Sequence, residues 1–218
     1  MQRTLILGAT GGIGSALMAR LPGAVPLSRA DGLDWRDPAR AESTLLTAAE
    51  QGPFDLIFDA TGALEIDGNG PEKALKAIEA DAMSAQFAVN AIGPALILKH
   101  HDALMPRQGR AVFATLSARV GSIGDNGLGG WISYRASKAA LNQIVRTASI
   151  EIARKRPEAV VAALHPGTVA TSLSEKFTGN RDTVSPEIAA ERLLSVLESL
   201  SPADSGGFFA YDGSTIPW

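Results

Sequence analysis

Tyr134 and Lys138 stand four residues apart in the run Ser133-Tyr134-Arg135-Ala136-Ser137-Lys138. On a helix that spacing stacks the two side chains on one face, a turn apart. A phenol with a reference pKa of about 10 moves protons poorly at neutral pH, but a neighbouring ammonium favours its charged form and brings it toward the working range. The pair therefore predicts proton transfer, with Tyr134 as the acid–base group and Lys138 as the charge that tunes it. Ser117 ends the apolar run 110–116. A hydroxyl at the carboxyl end of a strand lies where open α/β sheets bind their ligands, and it can hold a carbonyl oxygen.

A second constellation lies near the start of the chain. Residues 4–7 (TLIL) lead straight into Gly8-Ala9-Thr10-Gly11-Gly12-Ile13-Gly14 and then into a segment of helical period. Strand, glycine turn and helix in that order suit a phosphate: the glycines let the backbone turn tightly and approach a pyrophosphate, and the helix start presents free N–H groups. A turn that merely packs helix against strand is the plainer alternative. About twenty residues further on, where an NAD site sets an acid against the ribose hydroxyls, the chain reads Ser28-Arg29. A hydroxyl followed by a guanidinium suits a 2′-phosphate and favours NADP, while the nearby Asp31 keeps NAD open.

These groups need a sheet to hold them at one edge. Short Leu-rich or β-branched runs alternate with Ala-rich segments of helical period, the pattern of a parallel sheet covered by helices. Strands are predicted at 4–7, 24–27, near Leu33, and at 54–59, 110–116, 159–164 and 207–211, with helices at 12–21, 38–51, 71–104, 134–156 and 186–200. Pro38 and Pro186 follow the capping residues Asp37 and Ser185 and fit first helical positions. The expected fold is a doubly wound α/β sheet of about seven strands in the order 3-2-1-4-5-6-7, with its ligand at the reversal between strands one and four. No linker, composition shift or repeat interrupts the chain, so residues 1–218 are expected to form one domain.

Composition narrows the function classes. The 218 residues are 45% hydrophobic and 20% charged, with a mean hydropathy of +0.08, as in a soluble globular protein. Twenty Lys and Arg against 23 Asp and Glu give a net charge of −3 without a basic block, which argues against a nucleic-acid partner. The absence of cysteine excludes disulfides, thiolate nucleophiles and thiolate-bound zinc. His100 and His101 point about 100° apart on a helix, and no metal is expected. The N-terminal apolar run is too short for a secretory signal, and the stretch 87–98, broken by Asn90 and Gly93, falls short of the ~18 residues of a membrane span. A cytoplasmic protein without membrane contact is expected.

In combination these residues resemble the short-chain dehydrogenase/reductase family in its compact, single-domain form, over nearly the whole chain. The family's GxxxGxG motif falls on Gly8, Gly12 and Gly14, its active-site tyrosine and lysine on Tyr134 and Lys138, its serine on Ser117 and its catalytic asparagine on Asn90 in VNAIGP. An adenine-contacting aspartate matches Asp34, a Pro-Gly turn matches Pro166-Gly167, and Val169 and Thr171 match positions near the nicotinamide carboxamide. The ending GGFFAYDGSTIPW is similar to C-factor and sniffer-type carbonyl reductases. At 59–62 the chain carries Asp-Ala-Thr-Gly where many relatives carry Asn-Asn-Ala-Gly, a departure that touches local hydrogen bonding rather than the chemistry.

The resemblance implies a dinucleotide site of Gly8, Thr10, Gly12, Ile13, Gly14, Ser28, Arg29, Asp34, Ala60, Thr61, Gly62, Asn90, Tyr134, Lys138, Pro166, Gly167, Val169 and Thr171. It implies hydride transfer between nicotinamide and a carbonyl or alcohol carbon of a small molecule. Tyr134 would exchange the proton, Lys138 hold the ribose hydroxyls, Ser117 polarise the substrate oxygen and Asn90 anchor a water in a proton relay. Two rival readings are a catalytically silent NADP-binding redox sensor or regulator, which has no need of an acid–base tyrosine, and a methyltransferase-like protein binding S-adenosylmethionine, against which Ser28-Arg29 speaks.

Other segments are less specific. His165 is read as a structural histidine near the cofactor end of the sheet. The polar stretch 172–183, with Gly179-Asn180, fits a lid, and 125–130 a pocket wall. Ala136, Ala139, Ala140, Ile144, Val145, Ala148 and Ile152 are small or apolar around more than one helix face, which fits the family's habit of pairing through this helix as a homodimer or homotetramer.

Overall fold

The computed structural model describes residues 3–177 and 182–218. Along the chain run β1 (Thr4–Leu7), α1 (Gly12–Arg20), β2 (Val25–Leu27), α2 (Pro38–Ala49), β3 (Leu56–Asp59), α3 (Ala80–Phe87), α4 (Gly93–Lys99) and α5 (His101–Leu104). There follow β4 (Val112–Leu116), α6 (Ile132–Ala153), β5 (Val160–His165), α7 (Pro186–Ser199) and β6 (Phe208–Ala210). The six strands are parallel and form one sheet in the order β2-β1-β3-β4-β5-β6.

The period-2 rule of a strand explains the layers. Leu5, Leu7, Ile57, Phe113 and Val161 face a cluster shared with α2, α4 and α6, whereas Ile6, Phe58, Val112 and Ala162 face α1 and α7. Both faces are covered, so the strands read as continuous apolar runs. The ends α2 and α7 are set as the sequence suggests: Asp37 accepts from the Arg40 amide at 3.2 Å and Ser185 from the Ile188 amide at 3.4 Å, each ahead of a proline.

Two expectations are corrected. No strand forms near Leu33. A 3-10 turn at Arg29–Asp31 closes on Gly32 at φ 101, and Leu33 and Trp35 are buried as packing residues instead of being paired into the sheet. The sheet therefore has six strands, and with the absent third strand removed the expected order is the observed one. The predicted helix 71–104 is also broken. Residues 60–79 are irregular apart from an isolated antiparallel bridge between Ile66 and Asn69 and a 3-10 turn at Leu75–Ala77, and a π turn, Ala88–Ile92, separates α3 from α4. Pro94, in the first turn of α4, has no N–H to donate and its ring crowds the carbonyl four residues back, so the helix widens just before it.

Candidate active site

The strand order reverses at β1 and β3, and a cavity of about 680 Å³ opens there at the carboxyl ends of the strands. Its floor is the glycine turn. Gly8 has φ 76, and a Cβ on it would lie 2.8 Å from the Ala60 carbonyl oxygen, so only glycine fits between β1 and β3. A Cβ on Gly12 would lie 2.5 Å from Thr171 Cγ2. Gly14 does not line the cavity: a Cβ there would meet the Gly8 oxygen at 2.1 Å, which makes it the residue that seats α1 on the turn. Gly11 caps α1 without a side-chain hydrogen bond, and the first turn carries no acid, so the positive helix end is left open toward the cavity. Thr10 and Ile13 line the same end, and Ala60, Thr61 and Gly62 form the opposite lip.

At the far end of this floor, Ser28 sits under a reciprocal cap: its amide and hydroxyl donate to Asp31 Oδ2 at 2.9 and 2.7 Å. The Asp31 carboxylate is thus folded back on its own turn, whereas Arg29 is exposed on the cavity rim and its guanidinium makes no hydrogen bond or ion pair among the described residues. Asp34 also lines the cavity, gripped by the Arg36 guanidinium at 3.1 and 2.9 Å, which holds its carboxyl below the usual carboxylate range.

Tyr134, Lys138 and Ser117 converge at the other end. Lys138 Nζ lies 5.9 Å from the centroid of the Tyr134 ring and donates to the Leu116 carbonyl at 2.7 Å. The Ser117 hydroxyl donates to Asn142 Oδ1 at 2.7 Å. Asn142 follows Lys138 by four residues on α6 and so extends the face of the Tyr–Lys pair; that spacing was its only signal in the sequence. The expected lowering of the phenol is not met: burial pushes Tyr134 up from its ordinary value. Burial also draws the Lys138 amine down to about 8, opposed by the Asp59 charge.

Asn90, 1% exposed, does not line the cavity. Seated in the π turn, it accepts from the Ala63 amide at 3.0 Å and donates to the Ala63 carbonyl at 2.8 Å and to Gln86 Oε1 at 2.7 Å. Its polar atoms brace the 61–64 lip. Pro166, Gly167, Val169 and Thr171 line the wall beyond β5 together with His165, whose buried Nδ1 has no partner and whose imidazole burial brings down to about 4.

Two further features escaped sequence reasoning, the contacts of Trp35 and Glu72, while Asp59 shows the altered hydrogen bonding that the 59–62 departure implied. Trp35 donates from its indole to Thr61 Oγ1 at 3.2 Å. Asp59 is buried among hydroxyls at the end of β3. Glu72 caps the active-site helix from 61 residues away: its carboxylate accepts from the Ser133 amide at 3.1 Å and from the Ser133 hydroxyl, and its carbonyl accepts from the Trp131 amide at 2.5 Å. Trp131, at φ 55, contacts the Tyr134 and Phe177 rings edge-on at 6.3 and 5.7 Å. Lys176 pairs with Glu65 at 2.9 Å, so the described part of the suspected lid rests on the 63–72 segment; Gly179 and Asn180 lie outside the described residues.

A parallel sheet with a glycine turn in the crevice where strand order reverses is the Rossmann type of nucleotide-binding architecture. Comparison with known proteins gives the family. A family model described as enoyl-(acyl carrier protein) reductase matches residues 16–210. The chain is 38% identical over 173 residues to the C-signal protein of Myxococcus xanthus, covering 77% of this chain and 94% of that one. It is 32% identical over 190 residues to the 1-hydroxy-2-glutathionyl-2-methyl-3-butene dehydrogenase of Rhodococcus sp. strain AD45, covering 86% and 79%. The carbonyl reductase Sniffer of D. melanogaster superposes with a TM-score of 0.78 at 21% identity over the whole of both chains. NADPH-bound carbonyl reductase from chicken fatty liver does so with 0.81 at 23%, over 100% of this chain and 94% of that one. The chain belongs to the short-chain dehydrogenase/reductase family of oxidoreductases.

Proposed function

We propose that this protein is an NADP-dependent oxidoreductase acting between a carbonyl and an alcohol carbon of a small molecule, with Tyr134 as the general acid and base. The observation that carries the reading is that one continuous cavity has the glycine turn at one end and Tyr134, Lys138 and Ser117 at the other. The residues fit a dinucleotide: an uncapped helix start and a glycine floor that any side chain would fill accept a pyrophosphate, and the unpaired Arg29 beside a turned-back Asp31 favours the 2′-phosphate of NADP over NAD. A solved structure of the same fold supports it: the chicken fatty liver carbonyl reductase is NADPH-bound.

When bound, the dinucleotide supplies the hydride chemistry. Ser117, freed from Asn142 or sharing its hydrogen bond, orients and polarises the substrate oxygen. Tyr134 delivers the proton to that oxygen in reduction and takes it in oxidation. Lys138 supports the phenol electrostatically and would hold the ribose hydroxyls, and Asn90 braces the 61–64 lip that would bear the dinucleotide. The groove between α4 and α6, where Ala95, Leu98, Ile144 and Ala148 lie among Lys99, His101, Gln143, Thr147 and Glu151 around about 450 Å³, is the surface on which a second copy of the chain would pack.

The test is a fluorescence titration with NADPH and NADH at matched ionic strength, followed by a screen of aldehydes and ketones. Tighter NADPH binding with turnover is expected, and Arg29→Glu raises the NADPH dissociation constant more than that of NADH. Equal effects on both overturn the NADP preference. Binding without turnover on any carbonyl points to the redox-sensor reading, and no binding at all overturns the cofactor assignment.

A further inference from the structure

Asp59 has no solvent exposure, and none of the roles above uses it. It ends β3 in register with Thr115 of β4. Its carboxylate accepts from the Thr115 hydroxyl at 2.7 Å, the Thr61 hydroxyl at 2.5 Å and the Thr61 amide at 3.0 Å. Both anchors lead to the site. Thr115 precedes Leu116, whose carbonyl takes the Lys138 ammonium at 2.7 Å. Thr61 precedes Gly62, where a Cβ would lie 3.3 Å from Asn90 Oδ1 and 3.5 Å from Lys138 Nζ. One carboxylate thus ties together the two strand ends that flank Lys138.

Lys138 is 3% exposed, and among the described residues its ammonium makes one hydrogen bond, to a neutral carbonyl. A buried ammonium without an opposite charge is costly. The titratable groups that face it are Asp59 from β3 and Tyr134 from its own helix; β4 offers only the Leu116 backbone. Asp59 in turn faces Leu7 of β1, Thr115 of β4 and Lys138 of α6.

We infer that Asp59 is a positioning residue that keeps Lys138 charged and in place beside Tyr134, acting through its buried charge and the two strand ends it ties together, without a direct salt bridge to Lys138 and without touching substrate. Each member of the pair resists its own desolvation: burial lowers Lys138 against the Asp59 charge, and raises Asp59 against its hydrogen bonds and the Lys138 charge. An asparagine at this position would accept from Thr61 and donate to Thr115 Oγ1, so what the carboxylate adds is charge, not shape.

Asp59→Asn tests this. Because the inference rests on the Tyr134–Lys138 reading of the site, the first readout needs no turnover: a 13C NMR pH titration of the six lysine side chains, with the Lys138 signal assigned by its loss in Lys138→Ala. The Lys138 midpoint is expected to fall by about one pH unit in Asp59→Asn. The alkaline limb of carbonyl reduction moves down by the same amount. Thr115→Val removes one hydrogen bond but keeps the charge, and is expected to lower Tm with the Lys138 midpoint in place. An unmoved midpoint in Asp59→Asn, or an equal shift in Thr115→Val, overturns the inference. If Asp59→Asn does not fold, the wild-type titration decides: the Lys138 signal must respond to a carboxyl titration as well as to its own, and a single-step response overturns the pairing. A wild-type chain that reduces no carbonyl would sink the proposed activity and leave the NMR result standing.

Discussion

Tyr134 carries two opposing influences. Burial disfavours its phenolate, and the ammonium that would favour it sits 5.9 Å from the ring with its hydrogen bond spent on Leu116. A phenol that holds its proton in the resting protein is suited to giving that proton away when charge develops on a substrate oxygen, which is the demand of carbonyl reduction. Tyr134→Phe deletes the proton and little volume. Steady-state kinetics should show kcat lower by about 10²–10⁴-fold with NADPH affinity unchanged, and unaltered turnover would remove Tyr134 from the chemistry. The spacing of Tyr134 and Lys138 was legible in the sequence because a helix turn makes it local. Asn142 was not, since it gains its meaning from a contact 25 residues away in the chain, and for Asp59 the sequence showed altered local hydrogen bonding but not its bond to Thr115, 56 residues away.

At the scale of elements, α6 must start at a fixed place for its first turn to present Tyr134, yet its own N-cap, Trp131, offers no capping oxygen. Glu72 supplies the acceptor. Burial pushes its carboxyl up, but the Ser133 hydroxyl and amide together with its own backbone amide outweigh this and leave it below the usual range. A depressed folded pKa means that this stabilisation is present above the unfolded carboxyl value of 4.5 and is lost as pH falls below it. Glu72→Ala leaves the Ser133 donors buried without an acceptor, and urea unfolding at pH 7 should register a loss of about 1–3 kcal/mol. The gap to wild type should close on going to pH 4 and below; a gap independent of pH would mean that the carboxylate charge is not what caps the helix. The strands and α1, α2 and α7 were readable from period and capping residues. The π turn had one visible cause, Pro94, but its position had to come from packing, and the irregular 60–79 segment carries no periodic signal at all.

For the whole molecule, the α4–α6 groove predicts assembly. Val145 and Ile152 belong to the core, while Ala139, Ala140, Ile144 and Ala148 stay half-buried on the outer side. Sedimentation velocity should find a dimer or tetramer, and Ala148→Glu should shift it toward monomer with the far-UV circular dichroism unchanged; a monomeric wild-type protein would remove the groove as an interface. The turn that replaces the expected third strand reaches further than the strand count. It leaves β2 at the margin of the sheet, and β2 is three residues long with the exposed Pro26 at its centre. On the other margin the C-terminal segment folds back along β6: the Ala210 amide donates to the Ser214 carbonyl and the Ile216 amide to the Phe208 carbonyl, both at 2.8 Å. Proline offers no amide hydrogen to an incoming strand, and a margin already paired has none to spare. Both borders are therefore poor templates for pairing with the edge of a neighbouring sheet, which disfavours edge-to-edge association of the folded protein.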